Sequence, residues 1–201
     1  MIIHCTKKMR VKLPDPLAPA ATVAEIGLLA QWQHWHANII NLQRQQCVIM
    51  VHDATRYTVF LPAMNKQALA NLAMHFHDVF INSLMKAGID MALVEKAATY
   101  LGDNVLQFDS NCNRSVQGTM RLMAQQLEWS LKYNGKHIND MAIYSTSAWL
   151  SDRPCNIKGQ KECVWPIKAM TQLLTDLATA NPVTEAANTS VAEPDSSADP
   201  D

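Results

Sequence analysis

The chain has 201 residues, of which 48% are hydrophobic, and a formal net charge of −1. This length and composition suit one domain with a substantial core, and the near-neutral charge gives no global electrostatic case for binding nucleic acid or a membrane, although a local basic patch stays compatible with it. No segment approaches the roughly 18 consecutive apolar residues of a spanning helix, and Lys7, Lys8 and Arg10 interrupt any signal-peptide run, so we expect a cytoplasmic protein.

The first predicted element is a short strand at Met1–Cys5, where the apolar run M-I-I-H-C ends at a polar residue. A strand this short needs partners, and we expect it to pair as an edge strand with the sheet that follows. Residues 13–21 contain three prolines and predict an extended connection. Residues 25–33 have room for one or two helical turns.

Three apolar runs then predict an antiparallel three-strand meander. They are Ala37–Leu42, Cys47–Val51 and Tyr57–Leu61, and short polar connections separate them. Apolar neighbours such as Val48 and Ile49 place apolar groups on both faces of the sheet. We therefore expect both faces to be largely covered.

Helical spacing dominates the rest of the chain, with one further short strand predicted at Val105–Phe108. Residues 138–150 are ambiguous between helix and irregular structure. The helices, bounded by caps and glycines, run from Asn65 to Gly88, from Asp90 to Gly102, from Asn113 to Gly135 and from about Pro166 to Ala178.

The pattern as a whole predicts an α+β fold. A small antiparallel β-sheet, made of the meander plus the short N-terminal and fourth strands, is packed by three to four helices. Residues 1–180 form this single domain. Residues 181–201 are rich in Ala, Ser, Thr, Pro, Asp and Glu without an apolar period, and predict a disordered acidic tail.

The seven histidines raise the question of a metal site. His75 and His77 are two residues apart on a helix, so they project in different directions and cannot share an ion. His34 and His36 are expected to share a strand face, and His36 and His52 to meet across the hairpin. Because no two-ligand helix motif is present, we predict no metal and no cofactor.

An anion site is suggested where the third long helix begins. Free backbone N–H groups and the positive end of the helix dipole favour an anion at Asn113-Arg114-Ser115. The alternative is that Asn113 only caps the helix and Arg114 only forms an ion pair. Gly118 inside the helix costs about 1 kcal/mol relative to Ala, which hints at a close packing contact there.

Two other site hypotheses rest on residue type alone. The five cysteines are widely spaced without a C-x-x-C pair, so we expect reduced thiols, and none lies in a familiar nucleophile motif. A base-stacking nucleic-acid surface would use the aromatic and basic residues Trp35, Arg44, Arg56 and Tyr57, although no RNP-like motif is visible.

Three segments together resemble a known family: M-I-I-H-C-T-K-K at Met1–Lys8, W-H-A-N at Trp35–Asn38 and N-R-S-V-Q-G-T-M at Asn113–Met120. The pattern is similar to an uncharacterised bacterial family numbered six-nine-three-three among the domains of unknown function. The similarity extends over about residues 1–178. Asn113 departs from the acidic residue expected there, and the residues after Asn181 are additional. The resemblance implies a small cytoplasmic bacterial protein, with no activity, cofactor or catalytic residue to carry over.

We therefore predict a non-catalytic binding or regulatory module that presents a polar pocket to an anionic ligand or a partner protein. Its expected ligand-binding residues are His36, Asn38, Arg114 and Ser115. The alternative is an enzyme acting on a phosphate-containing or nucleic-acid substrate, with His36 as acid/base and Arg114 as charge stabiliser, which requires both side chains to reach one cleft. No membrane partner is expected, and nucleic acid stays open.

Overall fold

A computed structural model describes residues 1–13, 27–102, 106–157 and 162–180. The expected extended connection over residues 13–21, apart from Leu13, and the expected acidic tail over 181–201 lie outside these residues. Among the described residues, no helix combines the length and apolar character needed to cross a membrane.

The centre of the fold is a five-stranded sheet in the order β4-β3-β2-β1-β5. Its strands are β1 (Ile2–Cys5), β2 (His34–Leu42), β3 (Gln45–His52), β4 (Thr58–Leu61) and β5 (Gln107–Asp109). The α+β class and the antiparallel meander β2-β3-β4 are confirmed. The purely antiparallel sheet is wrong, because β1 runs parallel to both β2 and β5. The edge position predicted for β1 is also wrong, since it lies between these two strands.

Eight helices and one short 3₁₀ helix surround the sheet in the described residues. They are α1 (Lys7–Arg10), α2 (Leu28–Gln33), α3 (Lys66–Ala70), α4 (Leu72–Lys86), α5 (Met91–Leu101), α6 (Arg114–Asn134), the 3₁₀ helix Ile138–Asp140, α7 (Ile143–Ser151) and α8 (Pro166–Ala180). The predicted caps hold, because Asn65, Asp90 and Asn113 each accept a backbone N–H from their own first turn. The helix predicted from Asn65 to Gly88 divides at Asn71 into α3 and α4.

Both faces of the sheet are buried, as predicted. Val48 and Met50 of β3 point into a large core built with α4, α5 and α8. Cys47, Ile49 and Val51 of the same strand point into a second core built chiefly with α6. Because side chains alternate along a strand, this run of apolar residues fills both layers.

Helix α7 covers the outer edge of the sheet at β4. The hydroxyl of Ser151 accepts the Thr58 N–H at 2.9 Å, and the hydroxyl of Ser147 accepts the Phe60 N–H at 3.0 Å. All four of these residues are buried. Two serines therefore satisfy the backbone donors that an edge strand would otherwise leave for pairing with another chain.

The close contact expected at Gly118 is wrong, since a Cβ atom added there would meet no atom of the described residues within 4 Å. Gly118 lies inside α6 and is solvent-exposed. We expect Gly118→Ala to raise the free energy of unfolding by roughly 0.5–1 kcal/mol, because alanine loses less backbone entropy in a helix. Urea denaturation measures this change, with exposed Gly135→Ala as the contrast. That substitution should destabilise the protein, because Gly135 ends the helix at φ +59°.

Candidate functional site

The three segments that carry the sequence resemblance meet in the fold. The parallel register of β1 and β2 places His4 beside His36 and Cys5 beside Ala37. The Thr6 hydroxyl then donates to the Asn38 side-chain oxygen at 2.6 Å. From the third segment, the backbone N–H of Asn113 donates to His36 Nε2 at 2.8 Å.

Three histidines cluster on the face of the sheet that α6 covers. The His4 and His34 rings are stacked with centroids 5.2 Å apart, and the His4 and His36 centroids are 4.7 Å apart. The prediction that His34 and His36 share a strand face is confirmed. His4 joins them because β1 lies parallel to β2, which the sequence did not reveal.

A hydrogen-bonded relay links this cluster to the end of β5. Asp109 Oδ1 lies 2.6 Å from His4 Nδ1, and His4 Nε2 lies 2.9 Å from His34 Nδ1. The carboxylate can only accept, so His4 carries its proton on Nδ1 and, when neutral, accepts at Nε2 from His34. In this relay a carboxylate orients a buried imidazole, and that imidazole orients a half-buried one. Such an arrangement can hold the outermost imidazole, His34, in position as a general base.

His36 has a different role, because burial keeps its ring neutral. Its side chain is 1% exposed, and burial, reinforced by His4, lowers its pKa from 6.5 to about 4. Nε2 accepts the Asn113 N–H, so the single proton of the neutral ring is on Nδ1. Among the described residues that buried nitrogen has no hydrogen-bond partner, and Asp53 Oδ1 is 3.9 Å away. The Nδ1–H of His36 is therefore shielded from solvent.

The three imidazoles open on a cavity of about 400 Å³, which we call the histidine cavity. Its lining consists of His4, His34, His36, Asp53, Asn111, Cys112 and Asn113. The proton relay opens on this polar lining, and the two features together point to a small polar ligand.

Arg56 holds in place the part of the histidine cavity that Asp53 lines. It is 3% exposed and lies in the turn between β3 and β4 at φ +63°. Its guanidinium donates to the Asp53 backbone carbonyl and, at 3.4 Å each, to Asp53 Oδ1 and Ser115 Oγ. The turn, Asp53 and the start of α6 are thereby held together.

A second cavity of about 780 Å³ lies past the end of β1, and we call it the lysine groove. It is lined by Lys7, Lys8, Val11, Lys12, Asn38, Ile39, Ile40, Asn41 and Gln46. The three lysines make it a favourable place for anions.

Neither of these two cavities is lined by all four predicted ligand-binding residues. His36 lines the histidine cavity and Asn38 lines the lysine groove, whereas neither lining includes Arg114 or Ser115. Arg114 is exposed, and Ser115 accepts from Arg56. His4, His34 and Asp109 were missing from the predicted set. For His34 the signal was the strand face that it is expected to share with His36, and for His4 it was alternation along Met1–Cys5, which puts His4 and Ile3 on opposite faces.

Two other expectations, the meeting of His36 with His52 and the base-stacking surface, are wrong because of where these residues lie in the fold. His52 pairs with Trp35, while His36 pairs with Val51, so His36 and His52 do not meet across the hairpin. Trp35 and Tyr57 are fully buried and cannot stack on bases.

The cysteines give no support for a nucleophile. All five are free. Burial raises the pKa of the Cys5 thiol to about 12 and also raises that of Cys47 and Cys112, which disfavours the reactive thiolate. Within the part of the chain that the structure describes, no group of three or more His, Cys, Asp or Glu residues is arranged to hold a metal ion.

The two most buried histidines predict acid sensitivity. Burial lowers the pKa of His36 and of His52 from 6.5 to about 4. Between these values the unfolded chain binds protons that the folded chain does not. Stability is thus fully present above pH of about 6.5 and is lost as pH falls toward about 4, by on the order of 2–3 kcal/mol per group.

Urea denaturation at pH between about 7 and 5 measures this loss before most carboxylates titrate. His36→Gln should flatten part of the pH dependence of stability, whereas His75→Gln, at a half-buried position on α4, should leave it intact. A free energy of unfolding that is constant over this range in the unmodified protein would contradict the prediction.

The model of the family described as Domain of unknown function (DUF6933) matches residues 2–169. The match spans most of the chain, so the chain belongs to this family, and the resemblance predicted from the sequence is confirmed. No curated protein matches the sequence.

Proposed function

We propose that this member of the family is a cytoplasmic acid–base enzyme that hydrolyses a phosphate-containing substrate in the histidine cavity. The observation that carries the proposal is the Asp109–His4–His34 relay, which opens on a cavity that His36 also lines. The five free thiols support a reducing location.

Each imidazole has a separate task in this mechanism. His34, oriented by His4, accepts a proton from the attacking water, while Asp109 stabilises the charge that reaches His4. His36 stays neutral because it is buried, and it forms a wall of the cavity beside the substrate. The proton on His34 then passes to the leaving oxygen, so that water has been added across the P–O bond. In this proposal His34, and not His36 as predicted from the sequence, is the acid/base residue.

The substrate class follows from the neighbouring charge. Asn38 lies two residues from His36 on the same face of β2 and lines the lysine groove. Lys7, Lys8 and Lys12 can hold an anionic part of the substrate there. Arg114, exposed at the start of α6, stays a prediction as a further anion contact.

The test is hydrolysis of a panel of phosphate monoesters, diesters and cyclic nucleotides by the purified full-length protein. For any substrate that the protein hydrolyses, His34→Gln should lower the rate by roughly 10²–10⁴-fold, because it removes the general base. His75→Gln, a matched change at a half-buried histidine of α4 that lines neither cavity, should leave the rate unchanged. Turnover that survives His34→Gln would overturn the mechanism.

The lysine groove by itself favours a second candidate, the non-catalytic module for an anionic ligand or partner. The two candidates separate cleanly. A binding module should show a rise in melting temperature with inorganic phosphate or nucleotides, because ligands that bind only the native state stabilise it. It should show no turnover of any panel member, and Lys8→Gln should reduce the thermal shift.

A further inference from the structure

Asp53 contributes a carboxylate to the lining of the histidine cavity, and the mechanism above gives it no task. It is the first residue after β3 and begins the turn that leads to β4. Its side chain is 38% exposed, whereas the side chains of its neighbours His36 and Arg56 are 2% and 4% exposed. Asp53 therefore presents more of its surface to a ligand than either neighbour does.

The turn that carries Asp53 is held by its own hydrogen bonds. His52 N–H donates to Tyr57 O at 2.9 Å, and Arg56 N–H donates to His52 O at 3.0 Å. Thr55 N–H donates to the His52 ring at Nδ1 at 3.1 Å. Because these bonds close the turn through both backbone and side chain, the backbone of Asp53 has a fixed position.

Three contacts then fix Asp53 itself. Its backbone N–H donates to His34 O at 2.9 Å. The Arg56 guanidinium donates to the Asp53 backbone carbonyl and, at 3.4 Å, to Asp53 Oδ1. The first contact places Asp53 next to His34, the general base of the proposed mechanism. Because the carboxylate is oriented before a ligand arrives, little side-chain entropy is lost on binding.

The chemistry of a carboxylate restricts what Asp53 can recognise. When ionised it only accepts hydrogen bonds, and its charge repels the oxygens of a phosphoryl group. The phosphoryl group of a substrate therefore lies toward His34, and the group that reaches Asp53 is a hydrogen-bond donor. The buried Arg56 guanidinium already balances the carboxylate charge. A neutral hydroxyl is thus a better match than an ammonium group.

We propose that Asp53 is a specificity-determining residue of the histidine cavity and accepts a hydrogen bond from a free hydroxyl in the alcohol part of the substrate. The substrate class is then the phosphate esters of polyols. The hydroxyl is close to the ester oxygen, because Asp53 and His34 are joined by a backbone hydrogen bond. This assignment rests on the proposed function, since it takes the phosphoryl group to lie at His34.

Binding of two phosphonates to the full-length protein tests the assignment without turnover, because a P–C bond replaces the ester bond that would be hydrolysed. 3,4-Dihydroxybutylphosphonate keeps the hydroxyls of a glycerol phosphate, whereas butylphosphonate lacks them. Titrations are followed by NMR at the backbone amides of the cavity. The dihydroxy compound should have a Kd about tenfold lower, because it adds a hydrogen bond to a charged acceptor.

Two substitutions of Asp53 should reduce this preference. Asp53→Asn keeps an acceptor oxygen for Arg56 and removes the charge. It should lower the ratio of the two Kd values to about threefold, because a neutral hydrogen bond is roughly half as strong as a charge-assisted one. Asp53→Ala removes the acceptor and should lower the ratio to about one.

Two controls accompany the titrations. Asp140→Asn, an exposed change outside both cavities, should leave the ratio at about tenfold. The melting temperature of each variant shows whether it is folded. Asp53→Ala leaves the buried Arg56 guanidinium without its carboxylate, and if that variant does not fold, Asp53→Asn decides the question alone.

Three outcomes overturn the inference. They are the absence of binding by either phosphonate, equal Kd values for both in the unmodified protein, and a preference that is undiminished in Asp53→Asn. If Asp53 served only to balance Arg56, its replacement would weaken both phosphonates alike and leave the ratio unchanged. Failure of the proposed function is a separate result, since it would appear as the absence of hydrolysis and would not alter the ratio of the two Kd values.

Discussion

Replacing Asp109 with asparagine should lower the turnover number for phosphate-ester hydrolysis by roughly 10²–10⁴-fold while leaving KM nearly unchanged. The carboxylate lies 2.6 Å from His4 Nδ1 and does not have to touch the substrate. Its negative charge stabilises the relay only when a proton moves from the reacting water to the imidazoles. The loss therefore falls on the transition state and not on substrate binding.

Asparagine is a suitable replacement because it keeps an acceptor oxygen. Asp109 Oδ1 also accepts the Asn111 N–H at 3.0 Å, which shapes the loop before α6. Asp109→Asn can retain that bond and so preserve the cavity. Steady-state kinetics and the melting temperature should be measured together on this variant and on Asp140→Asn, an exposed matched control. An unchanged turnover number in Asp109→Asn would remove Asp109 from the mechanism.

Replacing Phe80 with alanine should lower the free energy of unfolding by about 3–5 kcal/mol. The Phe80 side chain is fully buried, and its ring centroid lies 5.1–5.8 Å from four other aromatic rings: Trp32, Trp35, Tyr57 and Phe76. Its removal loses apolar burial and leaves a cavity that rigid aromatic neighbours cannot close.

The same cluster supports the site through Trp35, which lies between His34 and His36 on β2 and points to the opposite face. Urea denaturation of Phe80→Ala measures the loss. Met74→Ala on the same helix is the control, because Met74 is 61% exposed and should change stability by at most about 0.5 kcal/mol. A Phe80→Ala variant as stable as Met74→Ala would show that the aromatic cluster does not hold the sheet.

Local signals predicted the elements well. Asn65, Asp90 and Asn113 were identified as caps because a short polar side chain before a helical apolar period has one favourable use. The meander was visible because its turns are short, and its first connection is a two-residue turn with Gln43 and Arg44 at φ +47° and +67°. Neither signal needs information from distant parts of the chain.

Long-range pairing was not predictable in the same way. A five-residue apolar run at the start of the chain has no local feature that selects a parallel partner over an antiparallel one, or an inner position over an edge. The division of the predicted helix at Asn71 could not be predicted from the local pattern either, because the apolar period of the sequence continues across the break. Arg114 is predicted as a site residue from its place at a helix start; its side chain is exposed there, and its role as an anion contact stays a prediction.

The sequence by itself therefore determined the α+β class, the meander, the helix caps and the shared face of His34 and His36, because capping, alternation and turn chemistry act over a few residues. Only the tertiary structure decided that His4 and Asp109 join that face. That outcome depends on β1 lying parallel between β2 and β5, a pairing selected by the burial of Ile3 and Cys5 in the large core. The packing of the strands brings His34 and Asp109 next to His4, and the proton relay exists only because of this packing.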